Sequence, residues 1–360
     1  MYHIGGNPLQ DRLKALKALS DSLVAALPKE KLNSLGYLFF LEQDSLIVGS
    51  GELSRGGEGW VGMWSQHDGK LDTTVSMHEY ESVWRLSVSN FEDFIGVTTS
   101  NADEDSNFLG CYSVRGKRWL WKLQNLDNFE EVQFVDNDKE LLAIGEHKIY
   151  WVDPKTGRIL DQHRSLLQEY HSPGSRPEGG HLSPSGRYYT FWQESFPGSG
   201  IENDRGPHKN KDIDVWDVRN GEKVATIEAG DSCYNAGVYM ADERHMLLGC
   251  IDGTLRIWSS TENIFARGWK ADSEFLDYLI ISRDGRYVAA YGDFSVTILK
   301  YPSFEKVRYF KDVANNSTSG GPYPMAFSAD GKHFAMENQG FLYLYDTTTW
   351  QELWHVDTAR

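Results

Sequence analysis

Between Met246-Leu247-Leu248-Gly249-Cys250 and Leu255-Arg256-Ile257-Trp258 the chain places the dipeptide Asp252-Gly253. Asp can bond its own backbone and Gly accepts a positive φ, so two short runs of strand formers around this pair read as a β-hairpin. The residue ending the second run has counterparts along the chain: Trp64, Tyr112, Trp151, Trp216, Trp258, Leu299 and Tyr345, at intervals of 48, 39, 65, 42, 41 and 46 by subtraction. Most are followed by a polar turn and a further apolar run, as in Asp153-Pro154-Lys155-Thr156-Gly157 before Arg158-Ile159-Leu160, and Asp217 to Gly221 before Lys223 to Ile227. A second marker keeps step in three units: Ser183-Pro184-Ser185-Gly186-Arg187, Ser282-Arg283-Asp284-Gly285-Arg286 and Ser328-Ala329-Asp330-Gly331-Lys332. A period of about 40 to 50 residues marks small sheets that bury their faces only against one another.

The stretch from Cys250 to Thr261 also resembles the most recognisable segment of the WD-repeat β-propellers, in which a turn Asp leads into a strand ending on Trp. The resemblance covers residues 37 to 356 and is divergent. Of the His, Ser or Thr, Asp and Trp that bond together in that family, only unit two offers a loop histidine, His78, and its third strand ends on Tyr112. Unit five keeps Asp252 and Trp258 but has Gly230-Asp231-Ser232 where Gly-His is usual. The resemblance and the period together imply an all-β fold, a seven-bladed β-propeller of four-stranded antiparallel blades over residues 35–360, preceded by an N-terminal amphipathic helix within residues 1–34. The seventh unit owns a fourth strand, Gln351 to Val356, so the ring is expected to close by packing, without strand exchange.

The helix expectation rests on Leu9, Leu13, Leu16, Leu19, Leu23 and Leu27, whose spacing puts all six on one stripe, with Pro8 at the start and Pro28 at the end. Such a stripe either docks on the propeller or meets a partner helix, as in a G-protein-β-like layout. A net charge of −16 and a pI near 5.1 disfavour nucleic acid and anionic membrane surfaces, since both are bound by clustered Lys and Arg. No secretory leader or spanning run is evident, and the three cysteines, Cys111, Cys233 and Cys250, form no framework. Reduced thiols and a cytoplasmic location are the expectation.

Antiparallel strands alternate direction, so loops joining strands two and three of a blade share one end of the ring with loops joining strand four to the next blade. Collected there are Asn101-Ala102-Asp103-Glu104-Asp105, and Glu79-Tyr80-Glu81 ahead of Trp84. Further round come Phe129, Tyr170, Tyr234, Phe275 and Tyr323. Carboxylates beside exposed aromatics suit a basic, partly apolar segment. The residues expected to bind a partner are therefore Glu79, Tyr80, Glu81, Trp84, Asp103, Glu104, Asp105, Phe129, Tyr170, Tyr234, Phe275 and Tyr323.

Other constellations are set aside. His163, His171 and His181 with Glu169 and Glu178 lack the spacing of a preformed metal site. Gly49 to Gly57 lacks the Gly-Lys-Ser/Thr of a phosphate loop. Ser183 and Ser185 belong to the recurring turn and have no nucleophile-elbow setting. The Asp153 and Asp217 turns are similar to those of quinoprotein dehydrogenase propellers, a likeness of structure in a chain of seven units rather than eight. No metal or cofactor is expected. The reading is a non-catalytic scaffold that recognises a protein or basic peptide. The alternative, a propeller enzyme (hydrolase, lyase or oxidoreductase), requires titratable groups with raised pKa values to converge at a rim or channel mouth.

Overall fold

The computed structural model describes residues 32–358 apart from 42–44, 54–58, 78–81, 92, 101–106, 166, 168–174, 196–212, 229–235, 263, 266–267, 272–274 and 314–322. Its strands form seven antiparallel meanders, each pairing its strands in chain order. Their first strands are Leu32–Leu41, Ser82–Val88, Phe129–Val135, Ser175–Leu182, Ala236–Tyr239, Leu276–Ile281 and Met325–Phe327. Each of these contacts the first strand of the next blade, and that of blade seven contacts that of blade one, which closes the circle. The fourth strand of blade five is split into Ile264–Phe265 and Trp269–Lys270, both paired to Thr254–Ser259. The chain is a seven-bladed β-propeller. The stripe of six leucines falls outside the described residues, and the first strand begins at Leu32, inside the segment expected to be helical.

Strand alternation explains the packing. Successive side chains face opposite sides of a blade, so Ala289 joins the core between blades six and seven while Ala290 joins the core between blades five and six. Seven hydrophobic clusters result, one in each gap between neighbouring blades. The last gap holds Leu35, Leu38, Phe40, Trp60 and Trp64 of blade one against Ala326, Ala335, Leu342 and Leu344 of blade seven. There the Trp354 indole Nε1 donates to the Gln66 carbonyl at 2.9 Å. Blade seven keeps its own four strands, so the ring closes by packing as expected.

Both sequence markers have a structural cause. All seven strand-ending residues from Trp64 to Tyr345 are buried. In six blades the register to the fourth strand shifts at or beside that residue, a bulge that turns the outer strand around a bulky side chain. At the same end of the blade, the buried Ser183, Ser282 and Ser328 hydroxyls accept from the main-chain N–H of Tyr188, Tyr287 and His333 at 3.1, 2.9 and 2.9 Å. Gly186, Gly285 and Gly331 turn the chain at φ 75, 68 and 67°. Blade two uses the same device without a glycine: the Ser89 hydroxyl accepts from Phe94 N–H at 3.0 Å. Blade five keeps the backbone with neither residue, Met240 standing for Ser and Glu243 at φ 55° for Gly.

One expectation is overturned. Cys250 is disulfide-bonded, whereas Cys111 is a buried free thiol. Strand position alone does not separate an inert buried thiol from a bonded one, and the case for a cytoplasmic location loses its redox premise.

Candidate functional site

Of the residues expected to meet a partner, Glu79, Tyr80, Glu81, Asp103, Glu104, Asp105, Tyr170 and Tyr234 lie outside the described residues. Phe129 and Tyr323 are not rim aromatics. Phe129 is buried between blades two and three, edge-on to Tyr150 with ring centroids 5.9 Å apart. Tyr323 is buried, stacks on Tyr291 at 4.2 Å and donates its hydroxyl to the Glu337 carbonyl. Each stands where the chain enters a first strand, and there the neighbouring blade closes over the ring. Trp84 lies half-buried within the first strand of blade two, with the Arg85 guanidinium 4.7 Å from its ring centroid.

Phe275 does reach solvent, with 55% of its surface exposed and φ 49°. A second aromatic missed in the sequence joins it. Leu276 pairs with Gly292, and Gly292 with Ser295 across the turn Asp293-Phe294, so Phe275 and Phe294 occupy one end of blade six. Phe294 is 63% exposed at φ 53°. The left-handed region costs an ordinary L-residue about 1–2 kcal/mol, and here no burial offsets it. Asp277, Asp293 and Asp312 are exposed at the same end.

The second concentration of chemistry lies at the axis. The closing pair of the first two strands is five residues apart in every blade: Leu41 with Leu46, Ser89 with Phe94, Val135 with Glu140, Ser183 with Tyr188, Met240 with His245, Ser282 with Tyr287 and Ser328 with His333. Counting four residues back from the first member gives one layer around the axis: Tyr37, Arg85, Glu131, Gly179, Ala236, Tyr278 and Pro324. Blades six, one, two and three thus carry large polar residues at this register position. Bulges introduce this layer. Register shifts fall at Gly36 before Tyr37, Trp84 before Arg85, Glu130 before Glu131, Gly179-Gly180 before His181 and Asp277 before Tyr278. A bulge re-aims the side chain that follows it. At Gly180 a Cβ would stand 1.7 Å from the Tyr189 hydroxyl, so only glycine admits that phenol to the layer.

Arg85 ties the layer together. Its Nε donates to Glu130 O at 2.6 Å, its Nη1 to Trp84 O at 3.0 Å, and its Nη2 lies 3.6 Å from Glu130 Oε2. The Arg85 and Glu130 side chains remain 19% and 25% exposed. Burial opposes the arginine's charge, but Tyr37, Glu131 and Glu130 outweigh it and raise its pKa. Burial pushes the Glu131 carboxyl up to about 7, against the pull of Arg85. His181 is held down to about 4 by burial and by Arg85, so it is neutral near pH 7. Burial lifts Tyr37 to about 12 and raises Tyr278, which also feels Tyr37, Glu131 and Arg85. The influence of Tyr37, Glu131 and Arg85 on Tyr278, and of Arg85 on His181, accords with first strands that gather around one axis. Behind them, the fully buried Thr98 pairs with Arg85 on the same sheet face, and its hydroxyl has no hydrogen-bond partner among the described residues. Glu337, paired with Pro324, is likewise pushed to about 7 by burial and accepts from Gly340 N–H at 2.6 Å.

At the far end of the ring, Arg283 Nη1 of blade six donates to Asn90 Oδ1 of blade two at 3.2 Å. Blades seven and one intervene, so this bond crosses the axis and narrows that mouth.

Of the metal candidates weighed in the sequence, His163 is exposed, 3.2 Å from Asp161, and His181 lies on the first strand of blade four, two residues beyond Gly179. Among the described residues no three His, Cys, Asp or Glu side chains are grouped to hold a metal. Searched against protein-family models the chain matches none, and no curated protein matches it.

Proposed function

We propose that this propeller is a non-catalytic recognition scaffold, WD-repeat-like in its Asp252 turn and Trp258 strand end, that docks a partner protein or basic peptide on its loop-rich end. The observation that carries the reading is the pair Phe275 and Phe294, exposed and in left-handed backbone at one end of blade six. Neither packing nor backbone preference accounts for two such rings, whereas an interface supplies the missing burial. Asp277, Asp293 and Asp312 beside them, and the net charge of −16, favour a basic partner. The test is affinity capture from native extract with wild type, a Phe275→Ala/Phe294→Ala variant and a control altered on an outer strand, Val224→Ala. Proteins retained by wild type and the control but lost by the double variant support docking there; identical recovery by all three removes it. Capture that persists without residues 1–34 would exclude a partner-helix role for the leucine stripe.

A second reading is favoured by one observation: Glu131, with its pKa near 7, beside Arg85, Tyr37 and Tyr278, has the makings of a general acid or base. An enzyme of that kind would lose turnover in Glu131→Gln and keep partner capture; the scaffold reading expects the reverse dependence, on Phe275 and Phe294.

A further inference from the structure

We propose that the exposed aromatics at the loop-rich end of blades six and seven are the seat of the chain's own leucine stripe, Leu9 to Leu27, which docks there in cis as an amphipathic helix. The inference rests on reading that end as a docking surface, and it assigns the resting occupant that a partner must displace. Residues 1–31 lie outside the described residues, but the point where they join the propeller is fixed. Leu32 opens the first strand of blade one and pairs with Leu53, the last strand residue before the loop joining strands two and three. The segment therefore arrives at the same end as Phe275 and Phe294. Blade one touches blade seven, and blade six comes next. Phe341 follows the turn between strands two and three of blade seven and is exposed, as Phe294 is in that turn of blade six. The corresponding turns of blades three and five, Glu146-His147 and Ile251-Asp252-Gly253, hold no Phe, Tyr or Trp. Among the described turns at this end, the exposed aromatics stand on the two blades that lie side by side next to blade one.

Length and charge both fit this seat. A helix of about 20 residues is about 30 Å long, and the five residues from Leu27 to Leu32 add up to about 17 Å. Packed sheets lie about 10 Å apart, so blade six stands about 20 Å from blade one and is within reach. Residues 1–31 contain five Lys or Arg and three Asp or Glu, a net of +2, which leaves −18 on residues 32–360 by subtraction from −16. Arg12, Lys14 and Lys17 fall within the stripe, and at blade six Asp277, Asp293 and Asp312 are exposed and outnumber the neighbouring Lys311. Six leucines on one stripe need an apolar cover, and Phe275 and Phe294 each leave more than half of their surface bare. One contact satisfies both. The segment can lift off without opening a blade, so its release registers in its own amides and not in the cooperative unfolding of the ring.

Hydrogen exchange of the full chain, read by mass spectrometry, tests this. In wild type the amides of residues 9–27 are expected to be protected, and Phe275→Ala/Phe294→Ala should speed their exchange at least about tenfold. Phe91→Ala, which removes an exposed ring from the hairpin between the first two strands of blade two at the opposite end, should leave that exchange unchanged. The reciprocal variant, Leu16→Glu/Leu19→Glu, alters no propeller residue. It should raise hydroxyl-radical labelling of Phe275 and Phe294 at least about twofold, as the rings pass from covered to open. The proposal is overturned if residues 9–27 of wild type exchange at the rate of an unstructured peptide, or if wild type and the Phe275→Ala/Phe294→Ala variant protect them equally. Protection that disappears on dilution would seat the stripe on a second copy and overturns the cis contact as well. The partner reading fails separately. If the Phe275→Ala/Phe294→Ala variant frees the segment yet still captures the same proteins, the cis seat stands and partner docking at the pair falls; if it loses capture while the segment's exchange is unchanged, the reverse holds.

Discussion

The third strand and the first strand of each blade obey opposite rules. Along the third strands, one register position holds a bulky buried residue in all seven blades, and in six a bulge beside it bends the fourth strand in the same way. Along the first strands, one register position holds Tyr37, Arg85, Glu131, Gly179, Ala236, Tyr278 and Pro324, no two adjacent blades alike. Bulges occur there too, but they are confined to the blades that bring polar side chains to the axis, together with blade four, whose bulge admits Tyr189 and His181. Repetition builds the wedges, and departure from repetition equips the lumen.

The contrast can be broken at its strongest point first. Trp258→Ala opens the core between blades four and five and should cost about 3–5 kcal/mol, read as a lower midpoint in guanidinium unfolding. Freeing Cys250 by reduction or by Cys250→Ser should cost about 2–4 kcal/mol. Alkylation of the denatured protein checks the premise, since Cys250 should label only after reduction. Ser282→Ala removes the acceptor for Tyr287 and Arg286 N–H and the donor to Asp284, for about 1–3 kcal/mol in the same assay.

The axial layer is expected to affect stability less and with a distinctive sign. Glu131 is raised from 4.5 to about 7 in the folded protein, so the native state holds the proton more tightly than the unfolded chain. Its contribution is complete below about pH 4.5 and is lost as the pH rises through 7; with water screening in the lumen, the difference is about 1–2 kcal/mol. Comparing unfolding at pH 5 and pH 8 should show Glu131→Gln flattening that slope. Smallest of all, Phe294→Gly should leave stability unchanged or raise it by up to about 1 kcal/mol, because glycine accepts the left-handed backbone that phenylalanine resists. A clear loss would mean that the ring packs within the fold and is not held ready for a partner.

The same contrast explains how far the sequence could be read. Trp64, Trp151 and Trp258 announce the blades because a wedge needs a large buried side chain at one place in every repeat. The Ser282 turn is legible through its glycine, whereas Ser89 performs the same task without one and Met240 with neither. The axial layer is not legible in the sequence because a one-residue bulge breaks the alternation by which a strand's faces are assigned. Arg85, Glu130 and Glu131 accordingly look like an ordinary solvated edge. Counting back from the turn would have aligned Tyr37, Arg85, Glu131 and Tyr278. Phe129 and Tyr323 read as rim residues because the start of an inner strand looks, in sequence, like the end of a loop, although the next blade covers it. Phe294 was hidden in a two-residue turn, where an aromatic is not expected to face water.

Carboxyl carbon NMR of Glu131, assigned by difference against Glu131→Gln and titrated from pH 3 to pH 9, tests most directly whether the first strands gather their polar side chains at the axis. A midpoint near 7 is predicted. A midpoint near 4.5, the value of a carboxyl in open water, would place Glu131 outside the lumen and contradict the account.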